Sequence, residues 1–249
     1  MTDFHENIFG YIFVVFKLMK TISQFQFSKK VFYIPLLFVF AIWLVYWVEI
    51  HFSLNFTKYG VLPKKMTGLK GVLLSPFIHS DTKHLFNNSI PLFVLISALV
   101  FFYRNVYLQI LIIGGLVTGV LTWLIGREAY HVGASGIVYL LFSFVFFSGL
   151  IKKHYQLVAV SLIVIFLYGS MIWYMLPIQE GISWEGHLSG FVTGLYLAYH
   201  YRKQGIQREA FQFEKTDFDL LFDEEGNFNP PKIETDITEK DLEENEFLE

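Results

Sequence analysis

Ser135 stands in the tetrapeptide Gly133-Ala134-Ser135-Gly136, between a polar approach and an apolar run. His187 stands in Gly186-His187-Leu188-Ser189-Gly190-Phe191-Val192-Thr193-Gly194, where another apolar run begins. A serine hydroxyl is a poor nucleophile at neutral pH and needs a base beside it. Histidine is the usual base, because its ordinary pKa lies near the working pH. His84, with Asn88 four residues on, opens a third apolar run. Side chains of those two types can donate hydrogen bonds to the oxyanion of an acyl transfer. Together these residues could carry out attack by the Ser135 hydroxyl with His187 taking its proton. Whether they meet depends on the elements that carry them.

The chain has 249 residues, 54% of them hydrophobic and only 16% charged, with a mean hydropathy of +0.46. Soluble domains carry about a quarter charged residues, so this balance points to a membrane protein. The charge is segregated. Residues 1–213 hold 16 Lys and Arg against 8 Asp and Glu, whereas residues 214–249 hold 3 against 14. A basic body thus precedes an acidic tail. The absence of cysteine excludes thiolate and disulfide chemistry. No Lys/Arg patch interleaves with aromatics, so nucleic acid is not an expected partner. His51 and His79 could neighbour His84, yet no carboxylate or cysteine completes a ligand set. No metal and no cofactor is expected.

Ile8 to Met19 is apolar over 12 residues, with Lys17 and Lys20 at its end. That is short of the ~20 residues a bilayer span needs. Its leading segment has no Lys or Arg and no cleavage site follows, so an interfacial helix is expected within residues 1–30 rather than a signal peptide. Six longer runs follow: Val31–Ile50, His84–Tyr103, Tyr107–Ile125, Ser135–Ile151, Tyr155–Leu176 and His187–Tyr201. They predict an all-α polytopic membrane protein, a bundle of six transmembrane helices over residues 31–203. Pro35, Pro91 and Pro177 are placed near span ends, where proline is tolerated. Short connections make the second to fifth runs antiparallel neighbours. Residues 51–83 form a long first loop, whose apolar pieces should fold onto the membrane surface. Residues 204–249 read as an acidic, disordered tail with Pro230-Pro231.

With the N-terminus inside, ten Lys and Arg fall on the cytoplasmic side and six outside, which favours N-in and C-in. Parity then carries the functional argument. In an alternating bundle the second, fourth and sixth spans all start on one face, so His84, Asn88, Ser135 and His187 share one depth. Ionisable groups inside a span are costly and face the bundle interior or water, which makes them functional candidates. Helical phase supports convergence. Ser135 and Tyr139 are four apart, as are His84 and Asn88, and residues four apart share a face. Gly186, Gly190 and Gly194 form overlapping G-x-x-x-G steps, which let membrane helices approach closely. That stripe, under His187, would press the sixth span onto the fourth. Ser135 at a helix start also has unpaired backbone N–H groups nearby.

The chain resembles the rhomboid intramembrane serine proteases. Three motifs carry the resemblance: His79-x4-His84-x3-Asn88, Gly133-Ala134-Ser135-Gly136 and Gly186-His187-x2-Gly190-x3-Gly194. It covers about residues 31–201. The resemblance implies that Ser135 is the nucleophile and His187 the base of a two-residue dyad. It implies that His84, Asn88 and the Ser135 N–H form the oxyanion site, and that Tyr139 stacks on His187 in place of a third, acidic member. Gly133, Gly136, Gly190 and Gly194 would support the site. The six runs contain no Asp, and their one carboxylate, Glu49, ends the first span. Many family members carry a Trp-Arg pair in the first loop; residues 51–83 have neither residue. The implied substrates are transmembrane proteins, in the lipid bilayer of a bacterial inner membrane.

Blander readings exist for each motif alone. A small-x-Ser-Gly step is usually helix packing. His84 with Asn88 could cap a helix start. His187 could be an interfacial residue. His131 is a rival base, to which a loop role is assigned. Trp43, Trp47, Trp173, Tyr174 and Trp184 read as interface anchors. The competing function is a catalytically idle rhomboid-like protein that binds transmembrane clients, although such relatives typically lack the serine or histidine. A transporter would need ionisable residues at the midplane and a repeat between halves, and the sequence has neither.

Overall fold

The computed structural model describes residues 28–167, 173–178, 181–207, 218–223 and 226–228. The helix expected at Ile8–Met19 and most of the acidic tail, Pro230-Pro231 included, lie outside the described residues. Among the described residues the chain is all-helical. The helices are α1 Lys30–His51, α2 Gly71–Leu74, α3 Thr82–Phe102, α4 Tyr107–Ile125, α5 Ser135–Lys152, α6 Tyr155–Leu167 and α7 Trp184–His200. All belong to one unit, residues 1–208; a second, residues 209–249, contributes a short turn, Asp219–Leu221, and a bridge between Phe222 and Phe228.

Helices α1, α3, α4 and α5 are each long and apolar enough to cross a membrane. The other two expected spans are shorter as described: α6 has 13 residues and α7 has 17. The fifth run was expected to stay helical to Leu176. Instead Trp173–Met175 is a 3-10 turn, closely followed by Pro177, which has no N–H to continue a helix. Helix α7 begins earlier than its apolar run, at Trp184, so it includes the carboxylate of Glu185. One proline differs from expectation. Pro91 lies in mid-α3, whereas Pro35 is in the second turn of α1; at both, the neighbouring helices must compensate the missing hydrogen bond.

Apolar side chains on α1 and α4 point outwards. Leu37 is 66% exposed, Phe40 60% and Leu108 54%. Outward apolar faces on span-length helices are satisfied by lipid, and the chain is an integral membrane protein. The centre is α5, which packs on α3, α4, α6 and α7 and buries Leu140, Leu141, Phe144 and Val145 completely. Towards its far end Lys152 donates to the carbonyls of Gln204 and Ile206, tying down the chain after α7.

The loop of residues 51–83 is ordered by packing on its own protein. Val61 and His131 exchange backbone hydrogen bonds of 2.9 and 2.8 Å. Trp123 on α4 donates its indole N–H to the Lys65 carbonyl at 2.9 Å. Gly71 meets the backbone of Gly60 and Val61 so closely that no Cβ fits between them. The Ser75 carbonyl accepts the Gly133 N–H at 2.9 Å, which connects this loop to the segment before Ser135.

Candidate active site

Ser135 is the first residue of α5. The turn that delivers it needs Gly133 for two reasons. Its φ of +108° is a left-handed conformation, and a Cβ there would lie 2.6 Å from the His84 ring. Ala134 is fully buried, and its N–H points at His79 Nε2 at 3.4 Å. Gly136 faces α7: a Cβ on Gly190 would fall onto the Gly136 carbonyl oxygen, and one on Gly194 onto that of Leu140. The two backbones therefore touch where the glycine stripe was expected to bring them together, and Ser143 Oγ donates across the seam to the Phe191 carbonyl at 2.7 Å.

Across this seam His187 Nε2 lies 2.9 Å from Ser135 Oγ. The His187 ring stacks on Tyr139, with centroids 4.2 Å apart and planes 17° from parallel. His187 Nδ1 lies 2.8 Å from the main-chain carbonyl oxygen of Tyr174. Tyr174 therefore contributes a site atom, a role that its reading as an interface anchor missed. A carbonyl has no residue-type signature, so the sequence holds no signal for it. Trp43, another expected anchor, donates its indole N–H to Ser89 Oγ at 2.9 Å and ties α1 to α3.

His84 and Asn88 sit on the first turns of α3. Asp81 caps that helix, accepting the His84 N–H at 2.8 Å. Ser80 Oγ donates to Asp81 at 2.8 Å and lies 3.2 Å from His84 Nδ1. Asn88 is 5% exposed, and its Nδ2 has no hydrogen-bond partner among the described residues. A buried unpaired donor is costly and calls for an explanation, which a transient acceptor supplies. Ser135, Tyr139, His187, His84 and Asn88 line one cavity of about 800 Å³. Burial and then the neighbouring His84 push the His79 pKa down to about 4. The Asp81 carboxyl is held below its usual range, first by the His84 N–H and then by Ser80.

His131 has a structural setting. Its Nδ1 lies 2.5 Å from Ser183 Oγ and its Nε2 3.1 Å from the Arg127 carbonyl, and burial lowers its pKa. Beside it is a pair that sequence reading missed. Glu185, 1% exposed, accepts from Arg127 Nη1 at 3.0 and 3.2 Å and from the Arg127 N–H at 3.1 Å. Arg127 Nη2 also donates to the Ile182 carbonyl at 2.6 Å. These bonds join the segment leading to Ser135 to the start of the helix that carries His187. His51 stacks on Trp47, and among the described residues no cluster of His, Asp or Glu could hold a metal ion.

Comparison with known proteins places the chain among relatives by sequence. The Rhomboid domain matches residues 67–204. An uncharacterized protein of Mycobacterium tuberculosis is 36% identical over 172 residues, covering 63% of this chain and 70% of the relative; one of Mycobacterium bovis matches equally. An uncharacterized protein of Mycobacterium leprae is 30% identical over 152 residues, covering 56% and 59%.

Proposed function

The chain belongs to the rhomboid family, and from that premise we propose that it is an intramembrane serine protease that cleaves membrane proteins in or near their transmembrane segments. The observation that carries the proposal is the 2.9 Å contact between Ser135 Oγ and His187 Nε2, open to a cavity large enough for a peptide segment. Ser135 Oγ attacks the scissile carbonyl while its proton passes to His187 Nε2. The carbonyl π pair moves onto oxygen, where the Ser135 N–H, at the start of α5 where helical N–H groups have no intrahelical acceptor, and Asn88 Nδ2 are the donors. His84, beside Gly133, is a further candidate donor. The tetrahedral species collapses, and His187 returns the proton to the leaving amine. Water then hydrolyses the acyl-enzyme by the same route. Tyr139 supports the His187 ring from one face throughout. The excess of Lys and Arg on one set of loops supports an N-in, C-in orientation, with the site opening to the outer side.

The test is labelling of purified protein by a fluorophosphonate, alongside cleavage of a transmembrane peptide. Wild type should label and cleave. Ser135→Ala and His187→Ala should each lose both activities while keeping wild-type thermal stability, and the double variant should be no worse than either single one. A well-folded wild type that binds transmembrane peptides without labelling or cleaving would instead make the chain an idle client-binding member.

A further inference from the structure

The geometry points to the main-chain carbonyl of Tyr174 as a positioning group that fixes the tautomer of His187 and stands where a catalytic triad has its acid. The inference rests on the protease reading above. A neutral imidazole carries one proton, on either Nδ1 or Nε2. To receive the Ser135 proton, Nε2 must be bare. A carbonyl oxygen only accepts, so the 2.8 Å contact between Tyr174 O and Nδ1 requires the proton on Nδ1. That leaves Nε2 free towards Ser135 Oγ at 2.9 Å. One tautomer satisfies both contacts, and it is the competent one.

Among the described residues no other neighbour is placed to do this. Tyr139 lies on the ring face, near parallel, and cannot reach an in-plane nitrogen. Glu185 is two residues from His187 but is committed to Arg127. During attack the Oγ–carbon bond forms as the carbonyl π pair moves onto oxygen, the Ser135 proton moves to Nε2, and the other ring proton stays on Nδ1, hydrogen-bonded to Tyr174 O. The carbonyl orients the imidazolium without neutralising it, as an acid would. Tyr174 belongs to the turn Trp173–Met175, in the connection between α6 and α7. The competence of the base therefore depends on the placement of a segment outside both catalytic helices.

The test replaces the Tyr174–Met175 peptide bond of the full-length protein by an ester, through the α-hydroxy acid analogue of methionine. An ester carbonyl is a weaker acceptor, and every side chain is kept. The control is an ester at Met175–Leu176, which deletes the 3.0 Å bond from the Leu176 N–H to Trp173 O but leaves Tyr174 O an amide oxygen. The first ester should lower kcat about tenfold at unchanged KM, and the control should stay within about twofold. Nitrogen NMR of labelled histidine, with His187→Ala to assign the signal, should show the wild-type His187 proton on Nδ1 and a mixture in the first ester. Unchanged kcat in the first ester, equal losses in both, or a wild-type proton on Nε2 would overturn the inference. If wild type neither labels nor cleaves, the protease reading fails, and the NMR tautomer still decides this one.

Discussion

Two regions hold the segment bearing Ser135 against the segment bearing His187, and they are built on opposite principles. The seam between α5 and α7 works by removal of side chains: Gly190 and Gly194 let the helix backbones touch at the carbonyls of Gly136 and Leu140. The rim joint works by directional bonds: Arg127 with Glu185 and Ile182, and His131 with Ser183. The difference follows the surroundings. Among lipid tails no hydrophobic force distinguishes helix from solvent, so close van der Waals packing must supply the contact. At the rim, Arg127 is 43% exposed and keeps access to water while it compensates a carboxylate buried to 1%. The seam sets distance by a steric floor; the joint sets where α7 begins. His187 lies one turn from both.

Breaking the seam should have the largest effect. Gly190→Val puts a branched side chain where the Gly136 carbonyl lies, forcing the helices apart. A displacement of ~1 Å at the reacting atoms costs about a hundredfold in rate, so cleavage should fall at least that far and thermal stability should fall with it. Full activity at full stability would remove the seam from the account. Breaking the joint should come next. Arg127→Ala leaves the Glu185 carboxylate buried without its cation. Partial exposure of Arg127 reduces the usual penalty for a broken buried pair to about 2–3 kcal/mol. Denaturation in detergent measures this, and Arg127→Ala with Glu185→Gln together should recover part of the loss. No recovery would mean that the two residues act separately.

Acid should divide the two regions more gently. The seam glycines carry no titratable group, whereas His131 belongs to the rim joint and His79 packs against the Ala134 N–H and the His84 ring. Their folded pKa values are depressed by burial, His79 to about 4. The unfolded chain therefore takes up protons below pH ~6.5 that the folded chain refuses. The stability contribution is complete above that pH and is lost progressively as pH falls towards 4. His79→Gln should flatten the slope in thermal denaturation scans between pH 7 and 4; an unchanged slope would exclude His79 as its source. The smallest effect belongs to Lys65 and Glu128, a 3.0 Å ion pair near the rim with side chains 53% and 74% exposed. Glu128→Gln should change stability by less than ~1 kcal/mol and leave cleavage alone. A larger loss would show that the rim depends on surface charge as well as on the buried pair.

Much of this was legible in the residues because it is local and periodic. Apolar runs mark helices, and four of them have full span length. A glycine every fourth residue on α7 marks the face that must approach a neighbour. Parity places Ser135, His187, His84 and Asn88 at one level. The pairing of Arg127 with Glu185 was not legible, because both residues lie outside the apolar runs and nothing in their spacing announces a partner. Nor was the true start of α7, since polar residues can begin a helix without belonging to its apolar run.

What the sequence by itself determined was which residues could do chemistry and which helix faces had to meet, since residue type and helical period specify both. Only the tertiary structure decided how His187 is held. The acceptor at His187 Nδ1 is a main-chain oxygen of Tyr174, 13 positions away on a separate turn. Every residue has such an oxygen, so its use depends on where the backbone is brought and leaves no mark in the order of side chains.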